Sequence, residues 1–470
     1  MIYLSSFKLS NQTLKNPNIY PYSIFRDKYI EPFSFAPITI FYGNNGCGKS
    51  TLLNIIAGKL KIKGKEIKGL SSSVIYGPNA AGKTNIIGAM DVLRSIVLRG
   101  NIRNSEEKSS PNPAASALEL IPNNNESEAK PVCFEIEFYE EDGEDHKFKI
   151  HYELQIDLGT FLEEEYQRKI LAEVLEVNGE RVFERTQDLK IENLKVIKDY
   201  LSDITEQNAE SVNEIAKNSL NQEELFLTNG FKLIFSPKFT KLIVDWFTNK
   251  FMVIYRADSM QLIKRFADPK KKAIYVEKTT DEAAKLFGIN SNAVGYVVSD
   301  DEPDAKLYSV FKNMKNKKTT AVAADIFESY GTIRFINMFP LVIKAMQTGG
   351  TLVVDEFDAS IHPMALMSII NVFHNDDVNI HHAQLIFNTH NPIFLNSNLF
   401  RRDEIKFVER DDDTHDSVLY ALSDFGTTGD KGVRKHEDYM SKYFISQYGA
   451  IKDIDFTPIF EEILCDEKEG

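Results

Sequence analysis

Cysteine is scarce: Cys47, Cys133 and Cys465 are the three in 470 residues. That count builds neither a disulfide framework nor a thiolate metal cluster, and it suits a reducing cytoplasm. Long apolar runs are missing too, none approaching the roughly 20 residues that cross a bilayer. The opening stretch, MIYLSSFKLSNQ, has no basic segment leading into an apolar core, so no secretory signal is expected. Positive charge is in deficit, with 55 Lys and Arg against 69 Asp and Glu and a net charge of −14. This excludes a protein that coats nucleic acid over its whole surface. Two short basic strips remain, IKRFADPKKK (Ile263–Lys272) and KNMKNKK (Lys312–Lys318), and solvated faces are their simpler explanation. What is left, 43% hydrophobic and 26% charged residues, describes an ordinary globular chain. Its length calls for two or three structural units.

Against that plain background two stretches stand out, FYGNNGCGKSTLLNIIAG (Phe41–Gly58) and VIYGPNAAGKTNIIGAM (Val74–Met90). Each contains G-x-x-x-x-G-K-[ST], follows an apolar run and precedes a helical stripe. Small residues in such a loop let consecutive backbone N–H groups point at phosphate oxygens. The lysine adds charge at the outer phosphates and the hydroxyl binds a magnesium ion. In the second loop the candidates are Gly77, Pro78, Asn79, Ala80, Ala81, Gly82, Lys83, Thr84 and Asn85, with Thr84 as metal ligand.

A phosphate loop hydrolyses nothing without a carboxylate to hold the magnesium shell and a base to orient water. GGTLVVDEFDASIHP supplies both, because the buried-strand pattern Thr351–Val354 ends in Asp355 and Glu356. Asp355 is the candidate metal ligand and Glu356 the candidate general base. Farther on, FNTHNP ends another apolar strand with His390, placed to contact an outer phosphate. Upstream, FESYGTIRF offers Ser329, Gly331 and Thr332, which could open a helix whose amino terminus faces a phosphate.

The rest of the chain organises around these motifs. Cys133–Asp157 and Lys169–Thr186 alternate apolar and polar residues around an Asp-Gly and an Asn-Gly turn, the pattern of an antiparallel meander. Gly100–Pro131 reads as a long exposed loop. Residues 188–328 are mostly helical in pattern and carry no catalytic signature. TLVVDEFD, AQLIFNTHNP, EIKFVER and SVLYALSDF are the strands of the last part. The expected division is 1–66, an extra strand, phosphate loop and helix; 67–187, the first part of the core with its meander; 188–328, an inserted helical subdomain; and 329–470, the second part of the core.

The order phosphate loop, S-x-G-T, LVVDEFDASIHP and FNTHNP resembles the ATPase heads of the ABC class, a class that also includes SMC-like and RecF-like proteins. More narrowly, about 67–455 looks like the bacterial RloA-type or AbiL-type ATPases, relatives of the overcoming-lysogenization-defect proteins. The stretches that carry this likeness are SSVIYGPNAAGKTN, FEIEF, RVFERT, ELFLTNGF, DEFDASIHP, AQLIFNTHNP, LFRRDEIKFVER and SQYGAI. The resemblance implies an α/β P-loop NTPase fold of the ABC type: a mixed central sheet, an antiparallel meander and an inserted helical subdomain. It implies ATP and Mg2+ as cofactors, with Lys83, Glu356 and His390 as catalytic groups. It further implies a cytoplasmic ATPase subunit of an anti-phage, abortive-infection system, acting on a separate effector, often a nuclease. In such heads two subunits sandwich two ATP molecules, as a homodimer or a higher even-numbered homo-oligomer. Ser329 and Gly331 of one subunit would cap the nucleotide held by Lys83 of the other, and Asp358–Pro363 would be the segment that crosses between subunits.

The first 66 residues resemble instead the opening of a different, small ABC-like ATPase, which suggests a join near Lys61–Ile67. Only one strand ends in an acidic pair, and the second loop has the downstream context that matches it. Lys83 is therefore the expected working lysine. Lys49 is vestigial or binds nucleotide without hydrolysis; the alternative is that PITIFYG takes the core strand position from SSVIYG. Two other functions stay in view. A DNA-repair head that clamps DNA on ATP binding would need long heptad arms, which 188–330 is too short to form. A scaffold whose amino terminus abolishes turnover would bind nucleotide only. The magnesium-contacting glutamine of ABC-class heads has two weak candidates, Gln155 and Gln167. Five histidines (His362, His374, His381, His382, His390) crowd one stretch without a ligand spacing, so a metal centre there is not the preferred reading. Glu409–Asp416, ERDDDTHD, reads as a hairpin turn rather than a nuclease site.

Overall fold

The computed structural model describes residues 70–103, 131–142, 146–159, 168–202, 220–254, 278–299, 302–313, 318–412, 416–426, 432–434, 437–452 and 454–466, with isolated shorter pieces. The first phosphate loop, Gly43–Ser50, lies outside the described residues, as does Gln167. Of the amino-terminal segment only the two-residue strands Ser6–Phe7 and Phe33–Ser34 are described, paired antiparallel. The chain forms two compact units. One comprises Met1–Lys83, Asn388–Asp411 and Asp416–Gly470, the other Thr84–Phe387 and Asp412–His415.

In the first unit, SSVIY forms the strand Ser72–Tyr76, whose Val74, Ile75 and Tyr76 are buried. It runs parallel to Ile405–Arg410 with Ile405 opposite Val74 and Phe407 opposite Tyr76. Ile405–Arg410 also pairs antiparallel with Ser417–Ala421, with Glu409 opposite Val418 and Arg410 opposite Ser417, so the first two residues of ERDDDTHD belong to the strand. An aromatic layer seals this sheet: Tyr443 stacks on Phe407 at 5.9 Å, and the Tyr420 hydroxyl donates to the Tyr448 carbonyl at 2.7 Å.

The second unit contains a five-stranded antiparallel meander from Val132 to Ile191 in simple sequential order. Its alternating residues bury one face, and Asn178 and Gly179 supply the two left-handed conformations of the expected turn, at φ 53° and 81°. Separately, Phe251–Ile254, Thr351–Val354 and Gln384–Asn388 lie side by side as parallel strands, with Thr351–Val354 central and wholly buried. A parallel strand covered on both sides reads as a continuous apolar run, which is how TLVV appears in the sequence. Trp246 stacks on Phe138 at 3.9 Å and on Phe251 at 5.2 Å, joining meander and helix in one core.

The stretch 188–328 departs from the expectation of a helical subdomain. It has helices at Pro237–Asn249 and Lys278–Phe287, but also an antiparallel sheet of Ile274–Tyr275, Ala293–Ser299, Glu302–Lys312 and Thr319–Ala323. β-Branched and aromatic residues in AVGYVVS and TTAVA favour the pleated form, and their polar flanks disguise the period of two. Phe251–Ile254, inside the same stretch, belongs with the core strands.

One buried polar group holds the meander to the segment that follows it. Glu173, fully buried, accepts from the Phe226 and Leu227 backbone N–H groups at 2.7 and 2.9 Å and from the Tyr152 hydroxyl at 3.0 Å. Arg185 lies 3.6 Å from it and donates to the Glu224 carbonyl at 2.6 Å. Burial pushes the Glu173 carboxyl above the usual carboxylate range, against the pull of those donors and of Arg185. Glu173→Ala leaves the Tyr152 hydroxyl and two N–H groups without their acceptor and the buried Arg185 without its carboxylate partner. It is expected to lower stability by roughly 3–5 kcal/mol in urea denaturation followed by Trp246 fluorescence. Lys149→Ala, which breaks the exposed 2.8 Å pair with Glu137, is expected to change it by less than about 1 kcal/mol. Equal losses in the two variants would refute the assignment of Glu173 as the anchor.

Candidate functional site

The phosphate loop follows directly from the buried strand Ser72–Tyr76. Pro78 and Gly77 end the strand, and the chain then turns through Ala80 at φ 62° and Gly82 at φ 102°. Gly82 has two reasons to be glycine: its left-handed backbone, and a Cβ there would sit 2.9 Å from the Ser417 Oγ of the adjoining hairpin. The helix Lys83–Arg99 begins immediately, with no acidic residue in its first turn to oppose an anion. Lys83 is buried and its Nζ donates to the Gly77 carbonyl at 2.7 Å and the Pro78 carbonyl at 2.9 Å. The lysine is thus folded back over its own loop, its ammonium held where the loop closes.

In the second unit Thr84, the next residue, meets the acidic strand. Its Oγ1 donates to Asp355 Oδ1 at 3.2 Å. Asp355 is buried and its backbone N–H is fixed to the Ile254 carbonyl at 2.9 Å, at the carboxyl end of the parallel strands. Ligands of open α/β sheets bind outside those ends. A hydroxyl and a carboxylate oxygen at this separation form a hard, all-oxygen donor pair of the kind magnesium takes, leaving its other positions to water and phosphate. These residues fit the ion. Glu356 follows Asp355 with its side chain exposed and its backbone left-handed at φ 48°.

The segment upstream closes on the same turn. Ser329 caps the helix Tyr330–Thr348: its Oγ accepts from the Thr332 N–H at 3.1 Å and lies 2.8 Å from the Thr332 hydroxyl. Gly331 packs so tightly that a Cβ would come within 1.9 Å of the Ser360 carbonyl oxygen. Gly331 is therefore brought against Ser360 within one unit, with Ser329 and Thr332 beside it at the same helix start. In the first unit, Thr389 donates its N–H to the Ile75 carbonyl at 3.2 Å, which places His390, exposed, one residue beyond the rung beside the strand that feeds the phosphate loop.

Other candidates separate from this group. Gln155 sits inside a meander strand opposite Cys133 and Ala172. His362 caps Pro363–His374, accepting from the Met364 N–H at 3.3 Å. None of the five clustered histidines belongs to a group with metal-ligand spacing among the described residues; the one such group is Glu135, His151 and Glu153 on the meander. One neighbour of the acidic pair escaped sequence reasoning. Arg334 is buried, and its Nη2 donates to the Glu356 carbonyl at 2.5 Å and reaches the Asp355 carbonyl at 3.3 Å. Its only sequence signal was a charge among the apolar positions of the helix that Ser329 opens.

The family described as "AAA domain, putative AbiEii toxin, Type IV TA system" matches residues 72–396, well over half of the chain. The matched span starts at the strand before the second phosphate loop and ends just past His390. Comparison with curated proteins gives no match. Among solved structures, the SMC head domain from Thermotoga maritima aligns with 13% identity, over 74% of this chain and 89% of that one, at a TM-score of 0.29. That superposition is too loose to bear on fold or function. No described helix is long and apolar enough to cross a membrane.

The close approach at Gly331 gives a direct check on how the site is packed. Gly331→Ala must push the helix start off the Ser360 carbonyl, and a loss of about 1–3 kcal/mol is expected, seen as a lower Tm. An unchanged Tm would show that the helix start does not rest on this turn.

Proposed function

The chain belongs to the AAA-domain family described as putative AbiEii toxin of type IV toxin–antitoxin systems, and from that premise we propose that it binds and hydrolyses ATP with Mg2+ at the second phosphate loop. The observation that carries the reading is the 3.2 Å contact between Thr84 Oγ1 and Asp355 Oδ1. It unites the last residue of the phosphate loop with the first residue of the acidic pair.

Each group then has a role its position supports. The N–H groups from Gly77 to Thr84 and the start of the helix at Lys83 receive the phosphate chain. Lys83, released from the Gly77 and Pro78 carbonyls, places its charge on the outer phosphates. Thr84 and Asp355 would hold magnesium, which when bound would supply positive charge beside the phosphoryl oxygens. Glu356, exposed and adjacent, orients and deprotonates the attacking water. His390 contacts the outermost phosphate. Ser329, Gly331 and Thr332 serve the nucleotide of a second copy, whose loop they would cap in a homodimer or a higher even-numbered assembly. The family description supports a role in abortive infection or a toxin–antitoxin pair. There the ATPase controls a separate effector, and a nuclease is the chemistry we favour for it. Nothing in the described residues favours the DNA-clamp alternative.

Substituting the two loop lysines separately decides which loop works. Lys83→Ala is expected to abolish ATP turnover and Lys49→Ala to leave it within about twofold. The reverse pattern would move the site to the first loop. Glu356→Gln is expected to cut kcat by about 10²–10⁴-fold while nucleotide still binds. A Glu356→Gln protein that turns over normally would remove Glu356 from the mechanism. Growth arrest on infection that needs both Lys83 and a co-purifying effector would support the defence role, and arrest independent of Lys83 would count against it.

A further inference from the structure

Arg334 occupies an unusual position for a guanidinium. It is 2% exposed, yet only Nη2 is bonded, and both acceptors are backbone carbonyls, those of Asp355 and Glu356. Its Nε and Nη1 are buried with no hydrogen-bond partner among the described residues. A desolvated cation with two idle donors destabilises a fold. An apolar side chain of similar volume would suit the packing at least as well. Stability therefore gives no reason for arginine here.

Geometry supplies one. Arg334 lies in the first turns of the helix Tyr330–Thr348, five residues after its cap Ser329. The carbonyls it holds belong to the metal-ligand candidate and to the general-base candidate. Glu356 is in the left-handed region, which a residue with a Cβ occupies only when its surroundings impose it. The hydrogen bond from Arg334 to the Glu356 carbonyl is one such imposition. Gly331 seated on the Ser360 carbonyl is the other, at the far end of the same turn. One helix start thus grips both ends of the segment that carries the base.

We propose that Arg334 is a positioning residue: it couples the Ser329 end of this helix to the backbone of Glu356, so that the base is aligned only while the helix start is in place. Glu356 is exposed as a side chain and fixed as a backbone, so its carboxylate direction follows the carbonyl that Arg334 holds. A shift of the helix start when Ser329, Gly331 and Thr332 engage a nucleotide would travel through this one guanidinium to the water-activating group. The proposal rests on the ATPase reading above.

The test uses the full chain with Mg-ATP and the variants Arg334→Met and Arg334→Lys, alone and combined with Glu356→Gln. Arg334→Met is expected to lower kcat about 100-fold, the scale of a misplaced catalytic group. Nucleotide KM should stay within about threefold, since ground-state binding is untouched. Its Tm should equal or exceed that of the parent chain, because an unsatisfied buried cation has been removed. Arg334→Lys, which keeps a charged donor for these carbonyls but on a flexible stem without the rigid plane, should recover about tenfold of the lost rate. In the Glu356→Gln background Arg334→Met should cost less than about twofold more, because no base remains to be aligned.

Full turnover by Arg334→Met overturns the proposal. So does the same fold-loss in both backgrounds, which marks a general structural role, or failure of both Arg334 variants to fold. An unmodified chain that binds ATP but never turns it over removes the ATPase reading and the coupling together. Normal turnover in the parent and in Arg334→Met removes the coupling alone.

Discussion

The meeting of Thr84 with Asp355 is the constraint around which the site is arranged. The two residues are 271 positions apart, so a contact of 3.2 Å demands that a helix start and a strand end be fixed independently and correctly. The strand end is fixed by its neighbours. Thr351–Val354 is bonded on one side to Phe251–Ile254 and on the other to Gln384–Asn388, and the rung from Asp355 to Ile254 carries the order one residue past the strand. A carboxylate buried there is costly to leave unpaired. The hydroxyl of Thr84 relieves that cost in the protein itself, and a divalent cation between the two would relieve it further. The same placement that makes Asp355 expensive to bury makes it useful as an ion ligand.

Glu356 presents the complementary case. Its side chain faces solvent and its backbone is left-handed, as is that of Ser360 four residues on. Two such residues store on the order of 1–3 kcal/mol each. The turn between them is held by several independent grips. Phe357 is buried against Phe387 at a ring distance of 4.7 Å, Ala359 donates to the Glu356 carbonyl at 3.0 Å, and the helix start at Gly331 closes on Ser360. An exposed carboxylate on a constrained backbone suits the water-orienting role proposed for Glu356.

How much of this could be read from the sequence follows from the range of each signal. The second phosphate loop and TLVVDE were legible because a strand, a turn and a helix start each write their pattern locally. The meander was legible for the same reason, through alternation and Asn178-Gly179. The meeting of Thr84 with Asp355 was inferred only by order along the chain, since no local pattern encodes which helix start faces which strand end. The sheet from Ile274 to Ala323 was missed because its apolar positions are diluted by Lys, Asp and Ser, so period two and period 3.6 fit it about equally well. Arg334 was illegible for a different reason. A buried arginine in an apolar stripe reads as an error in the stripe until the carbonyls it faces are known.

The choice of arginine at that position is informative in itself. Both carbonyls lie within reach of one nitrogen, Nη2, so what arginine adds over an ammonium on a flexible stem is the rigid plane that carries that nitrogen. A planar guanidinium keeps its Nη2 between both, at 2.5 and 3.3 Å, while its rigid plane fixes the distance from the helix backbone to the turn. The link is therefore stiff in the direction that matters. Rotation or recession of the helix start draws on the Glu356 carbonyl directly, while the tight seat of Gly331 on Ser360 resists an approach. On the coupling we propose, a helix start that can pull but scarcely push would leave the alignment of Glu356 dependent on what holds the Ser329 end in place.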